Sequence, residues 1–234
     1  MYKNPNRFRT QRLRRVEPEK QLVFAPLAWL KLLYFLHAGN TEVGGFGLSS
    51  PDDPLYVQDL LTVTQSVTAV HVAFEDEAVA DHFDRCLDQG VQPARCGRIW
   101  CHTHPGTSPQ PSIVDEETFS RVFGACDWAI MFILSRSQRT YARLSFGTGP
   151  GGQMELGVAV DWARWPQYVN EQEQRPEVPW SSRLQEWAKE YVLNIHPRSM
   201  LGGMETMCSD DFQEGWDLQA GLSPMQRAAL EALA

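Results

Sequence analysis

The sequence predicts one mixed α/β layer domain, and three observations predict it. Helical and strand patterns alternate from Ala25 to Phe123. Trp128 to Ser135 is an unbroken apolar run of the buried-strand kind. Two further strand patterns follow it, so the helices have a sheet to cover.

Ala25 to His37 reads as an apolar helix, with Pro26 in its first turn and Gly39-Asn40 as its stop. Val43 to Leu48 reads as a glycine-rich strand. Strands pack glycine poorly, so Gly44, Gly45 and Gly47 imply close approach of another backbone or a ligand. Leu55 to Thr64 and Val67 to Phe74 read as two strands joined by a short polar turn. Glu75 to Gln89 has helical periodicity, with Ala78, Val79, Phe83 and Leu87 as its apolar positions. Gly97 to His104 is expected as a strand and Ile113 to Phe123 as a helix. Thr140 to Phe146 and Met154 to Val160 are expected as strands, with the glycine-rich turn 147–152 between them. The domain is expected to span 21–165. Pro166 to Pro179 reads as a linker, and Trp180 to Asn194 as an amphipathic helix with Leu184, Trp187, Ala188, Tyr191 and Val192 on its packed side. Residues 195–222 read as irregular, and 223–234 as a short helix started by Ser223-Pro224.

Charge narrows the choice of partner. Residues 1–20 carry seven basic and two acidic side chains, so the rest of this chain of net charge −8 stands at −13. That balance disfavours nucleic acid as the main partner and suits a basic ligand. The basic arm reads as a solvated N-terminal tail. Five scattered cysteines without CxxC spacing argue against a disulfide framework and for a reducing, cytoplasmic setting. The apolar run Leu22 to Leu36 contains Pro26 and Lys31 and is too short to span a bilayer.

The chemistry gathers in Trp100-Cys101-His102-Thr103-His104-Pro105 and the segment after it. Strand side chains alternate, so His102 and His104 share one face while Cys101 and Thr103 take the other. Two imidazoles so placed can converge on one ion. Ser112 opens the next helix, whose first turn presents Asp115. Two nitrogens and a carboxylate oxygen fit a tetrahedral zinc with a fourth position for water. Glu42 is the candidate acid/base, a carboxylate that does not ligate the metal. The Ser112 hydroxyl is the candidate donor to a developing oxyanion. Ser112-x-x-Asp115 is also a capping-box variant, and the two roles are compatible. Cys101 should face away from the histidines, which disfavours a cysteine nucleophile. His37, His71, His82 and His196 lack partners at ligand spacing and read as structural. Leu201-Gly202-Gly203 resembles the end of a ubiquitin-like protein, but it is internal and reads as coincidence.

A distant glutamate, then His-x-His-Pro, six residues, serine, two residues and aspartate is similar to the signature of the JAMM (also MPN+ or JAB) zinc metalloproteases. The resemblance covers about residues 21–165. It implies a cytidine-deaminase-like fold, a mixed β-sheet flanked by helices, here with a C-terminal helical extension. It implies His102, His104 and Asp115 as ligands of one zinc, Glu42 as acid/base and Ser112 as oxyanion donor. It also implies a substrate class. Family members cleave isopeptide or peptide bonds after the terminal glycine of ubiquitin-like proteins, and others process sulfur-carrier proteins of that fold. The expected partner is therefore a ubiquitin-like or sulfur-carrier protein with a glycine C-terminus, bound as an extended strand along a sheet edge. The chain lacks the long insertions of eukaryotic deubiquitinases and resembles the compact prokaryotic members. Release of a small adduct such as cysteine from a sulfur carrier, and a noncatalytic scaffold, are the alternative functions.

Overall fold

A computed structural model of the chain describes residues 20–173 and 180–198. The basic arm, Leu201-Gly202-Gly203 and the helix expected at 223–234 lie outside the described residues.

The architecture is mixed α/β. The chain runs β1 (Gln21–Phe24), α1 (Pro26–His37), β2 (Gly44–Ser49), β3 (Tyr56–Leu61), β4 (Gln65–Thr68), β5 (His71–Phe74), α2 (Asp76–Asp88), α3 (Pro93–Cys96) and β6 (Ile99–His104). It continues with α4 (Ile113–Phe123), β7 (Trp128–Ser135), β8 (Thr140–Phe146), β9 (Gly152–Glu155), β10 (Gly157–Val160), a 3-10 turn at Trp162–Arg164, α5 (Trp165–Glu173), α6 (Trp180–Asn194) and β11 (Ile195–Pro197). Eight strands form one sheet in the order β10-β1-β3-β2-β6-β7-β8-β9, and β11-β4-β5 form a small second sheet. β6 lies inside the large sheet, antiparallel to β2 and parallel to β7.

Each face of the large sheet carries its own core. On one face α1 is buried on nearly all sides, which is why its sequence is apolar all round. It packs with Phe24, Ile99, Cys101 and Phe132 of the sheet and with Trp187 and Tyr191 of α6. On the other face Phe46, Trp100, Met131 and Ile133 pack against Phe119 and Phe123 of α4. Full burial of side chains such as Phe24, Phe35 and Phe132 contributes about 1.5–3 kcal/mol each. Alternation along β6 thus sends Ile99 and Cys101 to the α1 side and Trp100 to the α4 side.

A polar network seats α6 on this body. The buried Lys31 ammonium donates to the Leu60 carbonyl at 2.6 Å and pairs with Glu190 at 2.8 Å. Glu190 in turn accepts the Thr62 hydroxyl at 2.6 Å, and Asn194 donates to that same hydroxyl oxygen at 2.8 Å. A buried lysine left without these partners would be expensive, so the network fixes where the helix lands.

Several expectations need correction. Gln65 to Phe74 is a hairpin, β4 and β5: Gln65 and Ser66, expected in a turn, begin β4, and Ala69-Val70 turn the chain between two four-residue strands. Met154 to Val160 is two strands. The chain passes from β9, antiparallel to β8, to β10, parallel to β1, with Leu156 buried at the crossing. The stretch expected as a linker is helical through Glu173, as α5. Ile195–Pro197, expected as irregular, pairs in parallel with β4. Leu87 and Val192 are exposed rather than on packed faces. On α2 the buried positions are His82 and Cys86. Among the described residues, no helix is long and apolar enough to cross a membrane.

Candidate metal centre

His102 and His104 project from the end of β6 on the α4 side, continuing the face that Trp100 begins. The His102 ring is fully buried and stacks on Trp100, with centroids 4.4 Å apart. His104 sits at the strand's mouth, where its Nδ1 donates to the Ser108 carbonyl at 3.0 Å. A carbonyl can only accept, so a neutral His104 carries its proton on Nδ1 and presents a lone pair at Nε2.

Helix α4 delivers the carboxylate. Ser112 is its N-cap, and the Ser112 hydroxyl accepts the Asp115 N–H at 3.2 Å. The Asp115 carboxylate accepts the Ser112 N–H at 2.7 Å, completing a capping box. One Asp115 oxygen lies 3.3 Å from His102 Nε2 and the other 3.6 Å from His104 Nε2. The His102 contact is close but misaligned for a hydrogen bond. The cap therefore does two jobs: it closes the helix end, and it aims the carboxylate at both rings. The Ser112 oxygen accepts within the cap, which leaves its proton to donate outward.

Glu42 sits two residues before β2. Its N–H donates to the Thr68 carbonyl at 2.8 Å. The next residue, Val43, donates to the Thr103 hydroxyl at 3.0 Å and accepts the Thr103 N–H at 2.9 Å. Beyond it the buried Gln65 amide clamps Gly44, accepting its N–H at 2.7 Å and donating to its carbonyl at 2.8 Å. Gly45 is crowded by another backbone, as expected, whereas side chains crowd Gly44 and Gly47. A Cβ at Gly44 would meet Val72 and Phe74 at 2.7 and 2.8 Å, and one at Gly45 the Leu61 carbonyl at 2.8 Å. So held, Glu42 brings Oε1 to 3.6 Å from His104 Nε2. Its other oxygen is buried without a hydrogen bond.

The ligand atoms of His102, His104 and Asp115 all lie within 4.8 Å of one another, and Glu42 stands outside that set. Electrostatics separates the two carboxylates in the same way. Burial opposes ionisation of Asp115, but the facing imidazoles and the Ser112 N–H outweigh it and hold its carboxyl far below the usual range. Burial dominates at Glu42, whose pKa rises to about 7 despite the neighbouring His104. Burial lowers the pKa of His102 and keeps its ring neutral. At His104 burial is outweighed by Asp115, the Ser108 carbonyl and Glu42, and the pKa rises. One carboxylate is thus fixed as an anion, and the other is poised to exchange a proton near neutral pH.

This donor set fits a divalent metal. His104 Nε2 faces two carboxylates, so a cation placed among these groups would meet a nitrogen and carboxylate oxygens together. His102 and His104 each bury an Nε2 with no hydrogen bond, which is costly unless something accepts the lone pair.

The predicted residues Glu42, His102, His104, Ser112 and Asp115 thus all gather at one place. Sequence reasoning missed those that position them. Thr103 is a polar side chain on the apolar-packed face of β6, and that mismatch was a usable signal. Gln65 gave none. Arg143 clamps Glu116, the residue after Asp115, through two bonds of 2.6 and 2.7 Å. Arg136 ties the loop after β6 to the end of α1: its backbone N–H donates to the His104 carbonyl at 3.0 Å and its guanidinium to the Gly39 carbonyl at 2.6 Å. A further correction concerns His82. It has partners at ligand distance, because Cys86 lies one helical turn away and Cys96 closes in from α3.

Compared with protein-family models and with curated proteins, the chain finds no match.

Proposed function

We propose that this chain is a zinc-dependent peptidase of JAMM type, with the JAB form of the α/β fold, that hydrolyses the amide bond after the terminal glycine of a ubiquitin-like protein. The bond is an isopeptide in a conjugate or a peptide in a precursor. The single observation that carries this reading is the asymmetry of the two carboxylates: Asp115 reaches both imidazoles, while Glu42 touches only His104 and remains protonatable.

His102, His104 and Asp115 would hold zinc, which supplies a Lewis acid and lowers the pKa of water to about 7. Glu42 takes the proton from the attacking water and passes it to the departing amine. Its second oxygen, buried without a hydrogen bond, is free to carry that proton. Ser112 donates its hydroxyl proton to the carbonyl oxygen as negative charge gathers there. Trp100 and the buried rim of β6 keep bulk water from the inner side, which strengthens these interactions.

The test uses the full chain loaded with zinc and two probes: ubiquitin carrying a peptide after its Gly-Gly end, and a ubiquitin-fold sulfur carrier with a short extension after its terminal glycine. Mass spectrometry should show scission after glycine in at least one, dependent on Glu42. A zinc-loaded chain that leaves both intact rejects the proposal.

A further inference from the structure

We propose that His82, Cys86 and Cys96 form a second metal site, a thiolate-rich zinc site that fastens α2 to the strand carrying His102 and His104. It does not rest on the hydrolytic reading of the first centre.

His82 and Cys86 are one turn apart on α2 and so share a helix face. Cys96 ends α3, three residues before β6 begins. All three side chains are buried, and their candidate ligand atoms lie within 4.8 Å of one another. Cys86 Sγ is 3.9 Å from His82 Nε2. Around a tetrahedral zinc, bonds of about 2.3 Å to sulfur and 2.0–2.1 Å to nitrogen place those atoms roughly 3.6 Å apart. That pair needs only a few tenths of an ångström of closure, and Cys96 Sγ lies within 4.8 Å of both atoms.

The surroundings hold this arrangement in place. The His82 ring stacks on Phe46, 4.9 Å between centroids and 13° between planes. Gly97, beside Cys96, lets the Phe83 ring press against the chain, where a Cβ would come within 2.5 Å. Helix α2 is therefore seated tightly on the segment that carries the third ligand. His82 and Cys86 also line a polar cavity of about 360 Å³ with Thr62, Glu190 and Asn194, from which water can supply a fourth ligand.

Buried cysteines commonly act as small hydrophobes. Two thiols meeting an imidazole at one point are not needed for that role. His82 Nε2 now donates to the Cys96 carbonyl at 2.9 Å. On binding, zinc takes the place of that proton, which moves to Nδ1, and each thiol releases one proton to solvent. The charge of the cation reverses the burial penalty that otherwise keeps these thiols protonated. A nitrogen and two sulfurs select zinc over magnesium or calcium.

The experiment is metal analysis and cobalt substitution of the full chain. Wild type should hold two zinc ions per chain, and Asp115→Asn and Cys96→Ser one each. The first centre contains no sulfur, so a thiolate-to-cobalt charge-transfer band must come from the second. It should persist in Asp115→Asn and vanish in Cys96→Ser. Should Cys96→Ser not fold, alkylation of wild type decides: zinc should slow modification of Cys86 and Cys96 by about tenfold or more, and leave Cys126 unaffected. One zinc per wild-type chain with no thiolate band, or alkylation of Cys86 and Cys96 indifferent to zinc, overturns the proposal.

Discussion

The two metal-type clusters differ in how the chain builds them. His102, His104 and Asp115 come from a strand end and a capped helix start, with nitrogen and oxygen donors and an edge that meets solvent at His104 and Ser112. His82, Cys86 and Cys96 come from a helix face and a short turn, with two sulfur donors, each residue buried. The first has a second carboxylate facing one of its ligands, whereas Glu190, in the cavity beside the second, is paired with Lys31. A site that turns over substrate needs an open position and a base. A site that fastens elements needs no base, and water can hold its fourth position without reaction.

The sharpest way to break that contrast is to remove a ligand from the open site. Asp115→Asn should cost the zinc of that site and abolish cleavage, read by metal analysis alongside an endpoint assay. Glu42→Gln should retain the metal and lose about 10²–10⁴-fold in turnover. Near-normal cleavage by that variant would strip Glu42 of its role.

Ser112 permits a finer separation. Ser112→Ala should lose about 1 kcal/mol of stability with the cap and about 10²–10³-fold in rate with the donor. Ser112→Asn restores the cap, so its melting point should return while its rate does not. If both return together, Ser112 acts through the helix alone. Thr103→Val strands the buried Val43 N–H at a cost of about 1–3 kcal/mol. It should slow turnover through Glu42 without loss of zinc, which single-turnover kinetics at measured metal content would show.

The smallest effect is on pH. In the metal-free chain the Glu42 pKa is about 7 when folded, against an ordinary value of 4.5. The folded state holds its proton more tightly, so between these values stability falls as pH rises, and the loss is complete above the folded pKa. Glu42→Gln removes that ionisation. At pH 8, metal-free Glu42→Gln should melt a few degrees above metal-free wild type, and at pH 4 the two should converge. Equal melting points at pH 8 would mean that Glu42 is not held in the buried environment its pKa reflects.

Much of the open site could be read in advance because its geometry is local. Alternation along β6 fixes which side chains join His102 and His104, and the serine-to-aspartate spacing fixes a cap whatever the helix packs against. The approach of Glu42 to His104 was not legible, because nothing near Glu42 in sequence says that β2 lies beside β6. The second cluster shows the opposite limit. His82 and Cys86 stand at ligand spacing on a helix, but that spacing is common and carries little information. Cys96 joins them only because α2 folds back over Gly97.

The same division runs through the fold. Local pattern alone determined the bounds of α1, α4, β7, β8 and α6, since apolar spacing and the flanking turn signals are spelled out by their own residues, even where single apolar positions such as Val114 and Val192 end exposed. The hairpin β4–β5, the break between β9 and β10 and the pairing of β11 with β4 were decided only by tertiary structure. A strand's existence depends on the partner that takes its hydrogen bonds, and a short segment carries no record of that partner.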